Sequence, residues 1–349
     1  MDKNQTRMNT SKYLEASRPI LAVLAAFLLG GVLIIAIGKN PVEIYGKMFS
    51  MTLGTGYGVG QVLFRATPLV LTGLAVALPF KAGLFNIGGE GQAAIGTIVC
   101  AAIGAALSPS LSPMLAIPIG LIAAMLGGAS WASIIALLKT RFGVSEVITS
   151  IMLNFTAYAL VGYLITYQFG IEGTMRTVEI SHGAFMPRLD ALTGLFPRSP
   201  VNLSLFLALA LATAVYAVVY KTKYGYELRA VGLNLEAARY AGINTNFHVM
   251  TSLIAAGALA GLVGANYVMG YKHYYEAGGV NGVGFLGIAV AMLVNSHPLW
   301  ILASALLFGL LDYGGLTINA DVSKEIFLVV QAAVILFVIA SQKAFKQME

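Results

Sequence analysis

Charge is what this sequence has least of. Only 10% of its 349 residues are Asp, Glu, Lys or Arg, where ordinary soluble domains carry about 25%. A normal solvated surface is therefore excluded. With 58% hydrophobic residues and a mean hydropathy of +0.81, the excess apolar surface needs lipid as its solvent. Cysteine is nearly absent too. The single Cys100 lies in an apolar run and excludes an internal disulfide and any multi-cysteine metal site. His182, His248, His273 and His297 lack metal-ligand spacing, and Glu90 has no obvious partner carboxylate, so a catalytic role is not expected. No G-x-x-x-x-G-K-[ST] phosphate loop occurs, so ATP cannot bind by that route.

What is present is long, continuous apolar sequence rather than the roughly 10-residue alternating segments of an outer-membrane barrel. The fold class expected is all-α, a polytopic transmembrane bundle. Residues 1–18 form a basic cytoplasmic tail, and 19–38 is a signal-anchor and first span. A short amphipathic piece precedes a second span at about 61–80, which contains Arg65 and Pro68. Residues 91–138 are too long for one helix, and Pro109 and Pro113 divide them into two spans. Further spans are expected at 147–171, 199–220 and about 248–271. The rest divides at Asn295-Ser296-His297-Pro298 and at a polar region, 312–325. That makes about ten spans, with a transmembrane body over 19–342 and a short cytoplasmic tail over 343–349.

The net charge of +6 and pI near 9.3 fit topology-setting Lys and Arg in cytoplasmic loops rather than nucleic-acid binding. With the N-tail inside, the inner group holds 13 of the 21 basic residues: Lys3, Arg7, Lys12, Arg18, Lys81, Lys139, Arg141, Lys221, Lys223, Arg229, Arg239, Lys343 and Lys346. Both termini are therefore expected inside. Residues 172–199 form a mixed-charge extracytoplasmic loop. Tyr271, Tyr274 and Tyr275 read as an interfacial aromatic belt.

Two stretches carry polar chemistry. Phe80-Lys81-Ala82-Gly83-Leu84-Phe85-Asn86-Ile87-Gly88-Gly89-Glu90-Gly91-Gln92 is glycine-rich and polar between apolar flanks. Backbone this irregular is tolerated at membrane depth only where protein or a watery cavity surrounds it. Asn86, Glu90 and Gln92 could hydrogen-bond a polar substrate and Phe85 could offer an aromatic face. Equally, Glu90 and Gln92 could tie broken helix ends together. Asn154, mid-span, is a further polar candidate for this pathway, although helix-to-helix hydrogen bonding is the commoner use. The second stretch is the connector 221–247. Within it, 235–241 is a helix-forming run that Asn234 can cap and Gly242 can end. With Arg229, Glu236 and Arg239 facing water, it could be a docking surface or a solvated loop.

The connector's pattern Gly225-x2-Leu228-Arg229-Ala230-Val231-Gly232-x-Asn234-x2-Ala237-Ala238-x2-Ala241-Gly242-Ile243 resembles the cytoplasmic coupling loop of ATP-binding-cassette importer permeases, in the branch handling sugars, branched-chain amino acids and nucleosides. Phe85-Asn86-Ile87-Gly88-Gly89-Glu90-Gly91-Gln92 is similar to the form found in bacterial nucleoside permeases. Glu146-Val147-Ile148, Met152-Leu153-Asn154 and Gly282-Val283-Gly284-Phe285-Leu286-Gly287-Ile288-Ala289-Val290-Ala291 are similar to further blocks of that family, in the same order over about 60–300. Val294-Asn295-Ser296-His297-Pro298-Leu299-Trp300 departs from it.

The resemblance implies a multi-pass permease subunit in a bacterial cytoplasmic membrane, importing nucleosides, purine nucleosides such as guanosine in particular. Its coupling loop (Arg229, Asn234, Glu236, Ala237, Arg239, Gly242) would dock on a separate ATPase subunit that holds ATP-Mg, while this chain binds no cofactor. A second homologous permease and an extracytoplasmic substrate-binding lipoprotein complete the implied assembly. A permease for a sugar such as ribose, and an ion-coupled transporter using Glu90 or Glu146, are the alternatives.

Overall fold

The computed structural model describes residues 21–346. The expected tail over 1–18 and the end of the one over 343–349 lie outside them. The described residues form helices, with three isolated β-bridges and no strand.

Among the described residues, seven helices are long and apolar enough to cross a membrane. They are α3 (Gly56–Phe80), α4 (Gly89–Ala106), α5 (Pro113–Phe142), α6 (Glu146–Leu164, continued to Phe169), α8 (Ser204–Lys221), α11 (Thr245–Gly261, continued to Lys272) and α13 (Trp300–Thr317). α1 (Leu21–Ala36) and α2 (Pro41–Leu53) meet at 118° and pass the test only as a pair, which would make eight. Asn40 turns the chain there: its side chain caps α2 and Pro41 opens it, the geometry that helix starts favour. The eighth span read from sequence is α12 (Val283–Leu293), only 11 residues, about 16 Å at 1.5 Å per residue against a hydrocarbon core of about 30 Å. α14 (Lys324–Lys346) closes the chain. The break read at 312–325 begins later, because α13 runs on to Thr317 and takes Asp312 into the helix.

Both long polar connectors are more ordered than their composition indicates. Residues 172–199 carry a 3-10 turn (His182–Ala184) and α7 (Leu189–Thr193), and bond backbone to backbone with residues 269–275, at and just past the end of α11: Thr177 N–H to Tyr275, Ile180 to His273 and Met186 to Met269. Residues 221–247 are mostly α9 (Lys223–Leu233) and α10 (Leu235–Tyr240). Three side-chain caps (Thr222, Asn234 and Asn244) start α9, α10 and α11 in turn.

α3 is the axis of the bundle, with 89% of its apolar window buried, whereas α8, at 22%, is peripheral. Lipid tails are as apolar as leucine, so helices here associate by close packing of small residues. A Cβ on Gly96 of α4 would lie 2.3 Å from Gly261 Cα of α11, and one on Gly261 would lie 2.1 Å from the Ala124 carbonyl of α5. Gly261→Val should therefore separate α11 from α4 and α5 and sharply lower the thermal midpoint in detergent, whereas Gly162→Ala, with open space around it, should leave it unchanged. Equal melting of both variants would contradict this packing.

Candidate functional site

The polar stretch after α3 turns back into the bundle. Asn86 Nδ2 donates to the Ala75 carbonyl at 3.1 Å, and Thr72 Oγ1 of α3 donates to the Val283 carbonyl at 3.0 Å. Thr72 lies eight residues before the end of α3, roughly 12 Å in. Asn154 lies eight residues into α6, at the same depth, and meets the same segment. The starts of α4 and α12 thus face each other inside the membrane.

Glu90, 1% exposed, joins them. Its carboxylate accepts from the Gly282 N–H, the Gly284 N–H at 2.7 Å, the Phe285 N–H at 3.1 Å and the Tyr158 hydroxyl. The first N–H groups of a helix have no intrahelical acceptor and carry its positive end. Nothing else in hydrocarbon would satisfy them. Beside it, Asn86 and Gln92 exchange two 3.1 Å bonds between their amides, and Asn86 Oδ1 also accepts from the Gly88 N–H. Asn154 accepts from the Gly91 N–H at 2.9 Å and donates to the Ile87 carbonyl at 3.1 Å. Asn86, Glu90, Gln92 and Asn154 are therefore brought together, buried, with partners inside the protein. Phe85 sits apart and half-buried, its backbone bonded to Glu146, which Lys139 pairs at 2.7 Å.

At the Lys81 end, α9 and α10 pack under the bundle. A Cβ on Gly232 would lie 2.3 Å from the Lys81 carbonyl, so α9 touches the polar turn backbone to backbone. Glu227 of α9 bonds the buried His248 of α11 at 3.0 Å. Arg229, expected in water, is half-buried instead: it donates to the Val219 carbonyl and lies 5.1 Å over the Tyr220 ring. Burial, then Arg229, hold the Lys81 ammonium below its ordinary range. Burial, then Lys81, lower His297. Leu233, Asn234, Glu236, Ala237, Arg239, Tyr240 and Gly242 remain exposed, with Glu236 and Arg239 paired at 3.2 Å.

One pair escaped the sequence reading. Arg65 of α3 is ion-paired with Asp312 of α13. Arg65 inside an apolar span was the available signal, since intramembrane charges mark functional sites by default; Asp312 was hidden by its polar surroundings.

The seven or eight apolar spans, packed around a buried polar junction, mark a polytopic membrane protein. The chain belongs to the family of permease components of the branched-chain amino acid transport system, whose model matches residues 58–339. It is 37% identical to the glucose ABC transporter permease protein TsgB13 of Haloferax volcanii, over 96% of this chain and 90% of the relative. It is 37% identical to the nucleoside ABC transporter permease protein NupB of Lactococcus lactis (92% and 89%) and 35% to the guanosine ABC transporter permease protein NupP of Bacillus subtilis (93% and 92%). The same two bacteria have a second similar permease each, NupC and NupQ, both 28% identical to this chain.

Replacing Glu90 by Ala would leave three N–H groups and a hydroxyl without an acceptor. With buried unsatisfied donors costing about 1–3 kcal/mol each, a loss of several kcal/mol is expected in thermal melts. Tyr158→Phe removes one donor and should cost about 1.5 kcal/mol. Melts unaffected by Glu90→Ala would refute the capping role.

Proposed function

We propose that this chain is one of two permease subunits of an ATP-driven importer for purine nucleosides, guanosine among them. The observation that carries this is the 35–37% identity to NupB and NupP over 92% and 93% of the chain. The NupB/NupC and NupP/NupQ pairs support a second, homologous permease as partner. A separate ATPase subunit holding ATP-Mg and an extracytoplasmic binding protein complete the assembly.

In this reading the chain crosses ten times, through α1, α3, α4, α5, α6, α8, α11, α12, α13 and α14, with 273–282 completing the passage of the short α12. Both termini lie inside. Lys81, Lys139, Arg141, Lys221, Lys223, Arg229 and Arg239 then gather at the cytoplasmic end, which supports that orientation. Glu236, Ala237, Arg239 and Gly242 of the exposed pair, started by Asn234, contact the ATPase, and Arg229 fixes α9 to α8. Phe85, Asn86, Glu90, Gln92 and Asn154 border the substrate route as its framework.

A sugar is the second reading, favoured by the glucose permease TsgB13. Labelled guanosine uptake, competed by adenosine, cytidine, ribose and glucose, separates the two. Competition by purine nucleosides alone upholds the first reading; guanosine indifference with lost sugar uptake on deleting the gene establishes the second.

Gly242 has φ +81°, whereas proline locks φ near −65°. Gly242→Pro and the charge reversal Glu236→Arg should each abolish uptake and substrate-stimulated ATP hydrolysis with the protein still inserted. Normal uptake in both would overturn the docking role.

A further inference from the structure

A cavity of about 240 Å³ opens between α3, α13 and α14, in the half of the bundle away from Lys81. Arg65, Asp312, Phe327 and Gln331 line it, with the exposed Lys324 at its mouth. Gln331 is 2% exposed, yet among the described residues neither its amide nitrogen nor its amide oxygen has a hydrogen-bond partner. The Arg65 Nε is also buried without one, although another guanidinium nitrogen is on Asp312. Elsewhere the interior amides Asn86, Gln92 and Asn154 are bonded to named partners. An unmatched amide at this depth is costly and implies a bonding partner that enters the cavity.

The unused groups define that partner. Gln331 offers a donor and an acceptor side by side in one plane, the fork that pairs in two-point fashion with an adjacent amino or lactam edge of a base. Arginine makes the corresponding two-point contact to the O6/N7 edge of guanine, and a carboxylate accepts from an exocyclic amino group. Phe327 supplies an aromatic wall for a planar ring. A sugar has hydroxyls for these groups but no planar π face to stack on the phenyl ring. The cavity has room for a planar base beside the phenyl ring.

We infer that this cavity is a base-reading site of the importer, in which Gln331, Arg65 and Asp312 bind the hydrogen-bonding edge of the nucleobase against Phe327. The inference rests on the nucleoside reading above and adds to it where the base is recognised. Arg65 and Asp312 also hold α3 to α13, so Gln331 is the residue to change. The test uses the complete importer in proteoliposomes, with guanosine and cytidine uptake measured for wild type and Gln331→Met.

The variant should raise the half-saturating guanosine concentration about tenfold, the worth of one two-point base contact, and shrink the guanosine-to-cytidine preference. Unchanged saturation and preference alongside normal wild-type nucleoside uptake would overturn the site alone. Absence of nucleoside uptake by the wild type would overturn the nucleoside reading and the site with it. Should the variant fail to assemble, photolabelling of the wild-type importer with 8-azidoguanosine decides. Label on α3, α13 or α14 that excess guanosine removes upholds the site; label elsewhere refutes it.

Discussion

The carboxylate of Glu90 on the start of α12 is the contact that the architecture depends on. A helix that begins inside a membrane exposes N–H groups that lipid cannot satisfy, and a buried carboxylate needs donors for both oxygens. Each is unfavourable alone and together they are complementary. The pairing holds together the two helix starts that follow segments 81–88 and 273–282. Asn86, Gln92 and Asn154 close the remaining polar groups of the same junction, so the break costs little once formed.

The junction is also tied to the exposed helical pair. Gly232 of α9 meets Lys81 through backbone atoms, and Lys81 donates to the Asn295 carbonyl beyond the end of α12 at 3.2 Å. A displacement of α9 therefore reaches both flanks of the junction through short contacts, one without any intervening side chain. Glu227 and His248 provide a parallel link into α11. These contacts form a contiguous path, and the discrete arrangement it would bias is the opposition of α4 and α12.

Much of this was legible in the sequence, and the failures have physical causes. Asn234 and Gly242 bracket α10 as their chemistry requires, and the polar run 81–92 stood out because its flanks are apolar. The span count was harder to read: among the described residues seven helices, or eight with the α1–α2 pair, are long and apolar enough to cross, and the 11-residue α12 is too short to cross by itself. Thr222 and Asn244 were as readable as Asn234 but were passed over inside a polar connector. Whether Glu90 meets substrate or a helix start could not be read from sequence, because its donors lie 68 to 195 residues away. Gln331 was lost in an apolar run for the same reason: its surroundings come from α3 and α13.

The Arg65–Asp312 pair has a consequence for how the chain is made. Its partners are separated by 247 residues, which at about 5–20 residues per second take roughly 12 to 50 s to synthesise. During that interval α3 holds an arginine without its counter-charge, a cost of up to about 3 kcal/mol for a helix leaving the translocon. The axial helix of the bundle can settle fully only when α13 arrives. A nascent chain cut short before Asp312 thus carries an arginine in its axial helix without the counter-charge that the folded chain provides.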